Sequence, residues 1–283
     1  MKSLTKGLIA SVLIGTITIG IFLAFSGGFL PGENTPNDES DDTVIPPVPL
    51  EPPAGLSYEG IDIIWLVVGG VKLKYTNIVI YIDPFDIHDR NESVLENADF
   101  IIITHNHLPH CSPIDIRSVS DSNTTLIAAR GPSFVPGIFE DEVVVPGDLL
   151  SYGDITFEFV QAYNIDKYNS EGVLFHPPSA NNIGVVIDFN GTRVYHAGDT
   201  DAIPEMANIT ADIAMLPVSG YAWMTADEAA EAVDFLQESR NLTYAIPIHW
   251  GYNEGSRFDA ERFRDLANCE VVILDMLFSR YGW

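Results

Sequence analysis

The chain has 283 residues, 46% of them hydrophobic and 11% aromatic, which is enough for a sizeable core and excludes wholesale disorder. Its 14 Lys and Arg stand against 40 Asp and Glu, a net charge of -26. Such a surface lacks the basic patches that phosphate binding requires, so no nucleic acid partner is expected.

Lys2 and Lys6 precede an uncharged stretch from Leu8 to Phe25. At about 18 residues it lies near the lower limit for a membrane-spanning helix, and it exceeds the roughly 7–15 residues of a signal-peptide core. With lysines before it and Asp38, Glu39, Asp41 and Asp42 after it, the amino end is expected in the cytoplasm. Residues 1–26 therefore predict a signal anchor or transmembrane segment that leaves the remainder outside the cell membrane; cleavage would make the protein secreted. Residues 27–56, rich in proline and acidic side chains, predict a disordered linker. A single globular domain is placed at 57–283. N-x-S/T triplets at Asn91, Asn123, Asn190, Asn208 and Asn241 fit an external location. Cys111 and Cys269 are too few for a disulfide framework.

From Ser57 onward, short β-branched runs predict strands at Ile61–Val68, Ile78–Asp83, Phe100–Thr104, Thr125–Ala129 and Ile155–Gln161. Further strands are predicted at Ile183–Asp188, Arg193–His196, Asp212–Leu216, Tyr244–Ile248 and Val271–Leu274. Most are continuously apolar, as strands covered on both faces are. Thr225 and Glu228 form a capping box, and Ala229, Ala232, Val233 and Leu236 follow as a helical stripe. A second helix is predicted over Asp259–Ala267, burying Phe263 and Leu266. No internal repeat is evident. Strands followed by strand–helix alternation predict helices outside packed sheets.

All seven histidines fall in the globular part. Thr104-His105-Asn106-His107-Leu108-Pro109-His110 follows an apolar strand, where a turn aims several imidazoles at one point. Tyr195-His196-Ala197-Gly198-Asp199-Thr200 again ends a strand, with Gly198 loosening the backbone before a carboxylate. Pro247-Ile248-His249-Trp250 ends a third. Each alone has an ordinary structural reading: a surface loop, an Asx turn, a packed histidine. Together they predict a metal site at strand ends, with imidazole and carboxylate suited to zinc, manganese or iron. Glycine-rich phosphate loops and serine-hydrolase elbows are absent from the sequence.

In order across about Ile61 to Val271, these blocks resemble the metallo-β-lactamase-fold hydrolases, and most of all the branch that contains L-ascorbate-6-phosphate lactonase. Ile82-Asp83-Pro84-Phe85 is similar to that family's strand-end aspartate, and Met224-Thr225-Ala226-Asp227-Glu228-Ala229 to a later block. The resemblance implies a four-layer αββα sandwich with the site along one edge. It implies that His105 and His107 hold a first metal, that His110 and His249 hold a second, and that Asp199 bridges them. Zn2+ is the expected ion, one or two, with Mn2+ or Fe2+ as alternatives. Asp83 would be a buried carboxylate orienting a ligand imidazole. Two departures stand out: Pro109 replaces the family's ligand aspartate, and Asn164 occupies the place of its third histidine. His176, from an unpatterned loop, is the candidate substitute.

The expected function is metal-dependent hydrolysis of a small ester, lactone or phosphoester by activated water. Asp199 would hold that water, with His196 and His176 as candidates for proton transfer. His196 also has a purely structural reading. Cys111, beside His110, reads as a packing residue. Tyr163, Tyr168, Phe175 and Trp250 are candidate pocket aromatics. The competing expectation, resting on Pro109 and Asn164, is a degenerate member that binds a ligand or metal without turnover.

Overall fold

The computed structural model describes residues 55–89, 95–131, 141–239 and 242–277. The expected anchor (1–26) and nearly all of the expected linker (27–56) lie outside these residues. Among the described residues no helix is long and apolar enough to cross a membrane.

Among the described residues fourteen strands form two sheets, and the chain fills one sheet before starting the other. The first holds β1 (Leu56–Tyr58), β2 (Ile61–Val67), β3 (Gly70–Tyr75), β4 (Ile78–Ile82), β5 (Phe100–Ile103), β6 (Thr125–Ala129) and β7 (Glu142–Val144). The second holds β8 (Leu149–Tyr152), β9 (Ile155–Gln161), β10 (Ile183–Phe189), β11 (Thr192–His196), β12 (Ile213–Pro217), β13 (Tyr244–Ile248) and β14 (Glu270–Val271). β1 starts one residue inside the expected linker. In both sheets neighbours in space are neighbours in sequence, with three antiparallel steps followed by three parallel ones. The repetition that the sequence hides is therefore present as topology.

Period-two alternation explains the continuous apolar runs. Ile80, Ile82, Phe100, Ile102 and Ile127 point into the core between the sheets, where they join Phe157, Phe159, Val185 and Ile187. The intervening Val79, Tyr81, Ile101, Ile103 and Leu126 point the other way. There they pack with Cys111, Ile116 and Val119, in and beside the short helix α1 (Pro113–Ser118). Burying each such side chain contributes about 1.5–3 kcal/mol, so both faces stabilise the sheet. On the far side of the second sheet, α2 (Ala226–Ser239) inserts Ala229, Ala232, Val233 and Leu236. Its start is the Thr225–Glu228 capping box, with the Thr225 N–H donating to Glu228 Oε2 at 2.7 Å. α3 (Arg257–Leu266) buries Phe263. Leu266, also expected in the core, is 45% exposed, because α3 ends there and its last turn faces water.

Candidate metal centre

The chemistry-bearing residues follow the C-terminal ends of β4, β5, β9, β11 and β13. Parallel pairing brings β4 beside β5 and links β11 through β12 to β13, and two antiparallel steps give β9 the same sense as β11. Their ends share one edge of the sandwich, the place where such sheets bind ligands.

Asp83, fully buried, organises the first-sheet half of the site. Its Oδ1 accepts the Thr104 N–H at 2.8 Å, and its Oδ2 accepts the Thr104 hydroxyl at 2.6 Å and His110 Nδ1–H at 2.8 Å. The Thr104 hydroxyl, its proton committed to Asp83, accepts His105 Nδ1–H at 3.0 Å. One carboxylate thus fixes two ring orientations, turning His105 Nε2 and His110 Nε2 inward.

Asn164 plays the matching part in the other half. Its Oδ1 accepts both the His176 N–H (2.9 Å) and His176 Nδ1–H (3.0 Å). Its Nδ2 donates to Asp201 Oδ1 and to the Ala222 carbonyl. Asp201 in turn accepts the N–H groups of Ile165 and Asp166, which pins the loop. Asn164 is not a lost ligand; it clamps His176 in the tautomer that leaves Nε2 open. Replacing Asn164 by Leu is expected to cost about 10–100-fold in ion affinity, the usual effect of removing a group behind a ligand, measured by titration with Zn2+.

The open nitrogens converge. His107 Nδ1 lies 3.1 Å from both His105 Nε2 and His176 Nε2. Asp199 Oδ2 lies 3.3 Å from His110 Nε2 and 3.6 Å from the Nε2 atoms of His105 and His176. Asp199 Oδ1 faces His249 Nε2 at 3.1 Å. Two donor sets are close enough to hold an ion: His105, His107 and His176, and His105, His110 and Asp199. Buried Asp199 Oδ1 and His249 Nε2 have no hydrogen-bond partner among the described residues, a costly arrangement that a cation would relieve.

Electrostatics agree with this fit. Burial holds the His105, His107, His176 and His249 imidazoles below their usual range, His176 at about 4, so they are neutral ligands at pH 7. Burial also opposes charge on His110, yet Asp199 and Asp83 outweigh it and push His110 up to about 10. In the metal-free chain His110 is an imidazolium between two carboxylates, so a cation would take the place of its inner proton. Burial disfavours the Asp199 carboxylate, but the charge on His110, with His249 facing it, holds it well below the usual range.

The expected site residues His105, His107, His110, His176, Asp199 and His249 are thus brought together. His196 is not among them. Its Nδ1 accepts the Gly198 N–H at 3.1 Å, and its Nε2–H donates to the Gly69 carbonyl at 2.8 Å. With both nitrogens used behind the site and the ring fully buried, it has no proton-transfer role; it positions the β2–β3 turn. Cys111 packs beneath the first sheet, its thiol pushed up to about 11 by burial.

The β2–β3 turn escaped sequence reading. Val68, at φ 55, gives its carbonyl to the Trp65 indole N–H and to the His249 N–H. His249 and Asp83 share the left-handed conformation (φ 58 and 48), the kind of local strain that collects at functional sites. Gly69 lies so close to the imidazoles that a Cβ there would be 2.7 Å from His249 Nε2.

A cavity of about 420 Å³ opens onto the centre, walled by Phe85, Phe175, Tyr221, Trp223, Trp250 and Tyr252, with Pro109 and Glu254 also on its lining. Phe175 and Trp250 were expected there. Tyr163 and Tyr168 are elsewhere: Tyr163 hydrogen-bonds Glu205, and Tyr168 is 56% exposed on an outer loop bridge.

A family profile described as a β-lactamase superfamily domain matches residues 62–249. A UPF0173 metal-dependent hydrolase of Thermoplasma acidophilum is 33% identical over 176 residues, covering 60% of this chain and 73% of its own. A crystal structure from Parabacteroides distasonis, described as a metal-dependent hydrolase, superposes with a TM-score of 0.64 at 29% identity, over 78% of this chain and 99% of its own. The diiron β-hydroxylase CmlA of Streptomyces venezuelae shares the fold, with a TM-score of 0.57 at 14% identity over 78% of this chain and 54% of its own.

Proposed function

The chain belongs to the β-lactamase superfamily, in its metallo-β-lactamase fold, and from that membership we propose that it is a metal-dependent hydrolase of uncharged esters or lactones. The observation that carries this is the convergence of His105, His107, His110, His176, Asp199 and His249, with the His105, His110 and His176 rings held so that their Nε2 atoms point inward. A divalent ion bound there lowers the pKa of water toward about 7 and polarises an acyl oxygen. The chain's own part is to keep His105, His107, His176 and His249 neutral, hold Asp199 ionised and surround the reacting group with apolar walls.

The walls support the choice among substrate classes. The aromatic lining suits an acyl or aryl group, and among the described lining residues there is no Lys or Arg to receive a phosphate. Lactones remain in keeping with the ascorbate-6-phosphate lactonase branch, whereas its phosphorylated substrate meets no counter-charge among the described lining residues. The non-catalytic alternative rested on Pro109 and Asn164; the clamp on His176 removes the second of these supports. Zinc is the first ion to test, with manganese and iron as alternatives, since the fold also houses a diiron enzyme. The proposal includes an amino-terminal membrane anchor with the domain outside, as the sequence of residues 1–26 suggests.

The test is elemental analysis of the purified chain followed by assay of the metal-loaded protein on neutral esters and lactones. Two ions per chain and turnover that His105→Ala abolishes are expected. Activity indifferent to His105→Ala would refute this function.

A further inference from the structure

The cavity lining contains two carboxyl groups among its described residues, Asp199 and Glu254. Asp199 is surrounded by imidazoles. Glu254 is different: no hydrogen bond or salt bridge engages its side chain among the described residues. It stands on the loop after β13, and the loop is rigidly set. The Gly251 N–H donates to the Glu254 carbonyl at 3.0 Å. Gly251 and Gly255 both take positive φ, 81° and 63°, and a Cβ on Gly255 would come within 2.3 Å of Ser219 Cβ. A side chain at Gly255 would clash, so glycine there lets the loop keep Glu254 on the cavity lining.

Ester or lactone cleavage by water needs a group that gives a proton to the departing oxygen. The imidazoles are not free for this: His105, His110 and His176 each commit one nitrogen to a fixed partner and turn the other to the metal site. His107 and His249 also face it, and His196 is bonded at both nitrogens. Pro109 brings no titratable group to the cavity, and the Tyr252 hydroxyl donates to Asp86. We infer that Glu254 is the catalytic acid–base residue, delivering its proton to the leaving oxygen of the substrate. This rests on the hydrolytic reading above. Water adds to the acyl carbon, the bond from that carbon to the leaving oxygen breaks, and the Glu254 carboxyl protonates that oxygen. The proton released by the added water restores the carboxyl, so nothing else is consumed. In the metal-free chain burial first, and then the Asp199 charge, push Glu254 up to about 7, with His110 opposing.

The test compares the full chain with Glu254→Gln and Glu254→Asp on two esters of one acyl group, one releasing an alkoxide and one a nitrophenolate. An alkoxide needs the proton and a nitrophenolate does not. Glu254→Gln is expected to lose about 100-fold or more on the alkyl ester and under about tenfold on the nitrophenyl ester. Glu254→Asp should recover part of the loss, and zinc content should match the unsubstituted chain. Equal losses on both esters would overturn the assignment while leaving hydrolysis standing. A fall in zinc content would also overturn it, making Glu254 a ligand. If the unsubstituted, zinc-loaded chain cleaves neither ester, the hydrolytic reading falls first and takes this inference with it.

Discussion

Gly69→Ala is expected to leave a folded protein that has lost its metal and its turnover. Gly69 does not occupy the left-handed region, so an alanine backbone is tolerated there. The added methyl, however, would lie 2.7 Å from His249 Nε2 and 3.0 Å from His110 Cε1. Both rings are buried and cannot swing aside into solvent. The expected outcome is at least about a 100-fold loss in ion affinity, comparable with the strongest effects of disturbing a ligand's support, with little change in thermal midpoint. Gly70→Ala is the contrasting control. Its methyl would meet the Asp83 and Val67 carbonyl oxygens at 2.9 and 3.0 Å, so the backbone must shift. That variant should lose about 1–3 kcal/mol of stability, as overpacked sites do. Metal titration and urea unfolding of the two variants separate a site effect from a folding effect.

Asp83→Ala should damage both. Removing this carboxylate strands the Thr104 N–H, the Thr104 hydroxyl and His110 Nδ1–H in a dry interior. Breaking a buried charge network of this kind costs about 3–5 kcal/mol. Alanine also tolerates the φ of 48° less readily than aspartate, whose short polar side chain suits that region. Ion affinity should fall because His105 and His110 both lose their fixed orientation. Asp83→Asn keeps one acceptor oxygen and the backbone preference, and is expected to lie between the two proteins in urea unfolding. An Asp83→Ala protein as stable as the original would sink this account of the network.

The inner strands were legible from their apolar content: β6 and β13 are buried on both faces, β9 alternates buried with half-buried residues, and all three fall at the expected residues. The strands it missed have weaker physical signals. β1, β7 and β8 are edge strands of three or four residues, too short for an alternation to register. β3 carries Lys72 and Lys74, which look like surface charges but both pair with Glu96. At the site, residues adjoining a strand end were readable, since His105, Asp199 and His249 each follow an apolar run. His176 entered only as a candidate, because its position depends on Asn164 and Asp201 holding a loop with no periodicity. Gly69 and Glu254 carried no signal in the chain itself: their importance lies in what they approach across space. His196 misled for the opposite reason, as membership in a conspicuous motif says nothing of which way a ring points.

The two sheets repeat one topology, and the converging side chains divide evenly between them. His105, His107 and His110 follow a strand of the first sheet, while His176, Asp199 and His249 follow strands of the second. An ion at this edge would rivet two half-molecules that the chain joins between β7 and β8. Ion supply would then act on cohesion as well as chemistry, raising unfolding free energy by RT ln(1 + [ion]/Kd). A chelator would behave toward this protein as a mild denaturant.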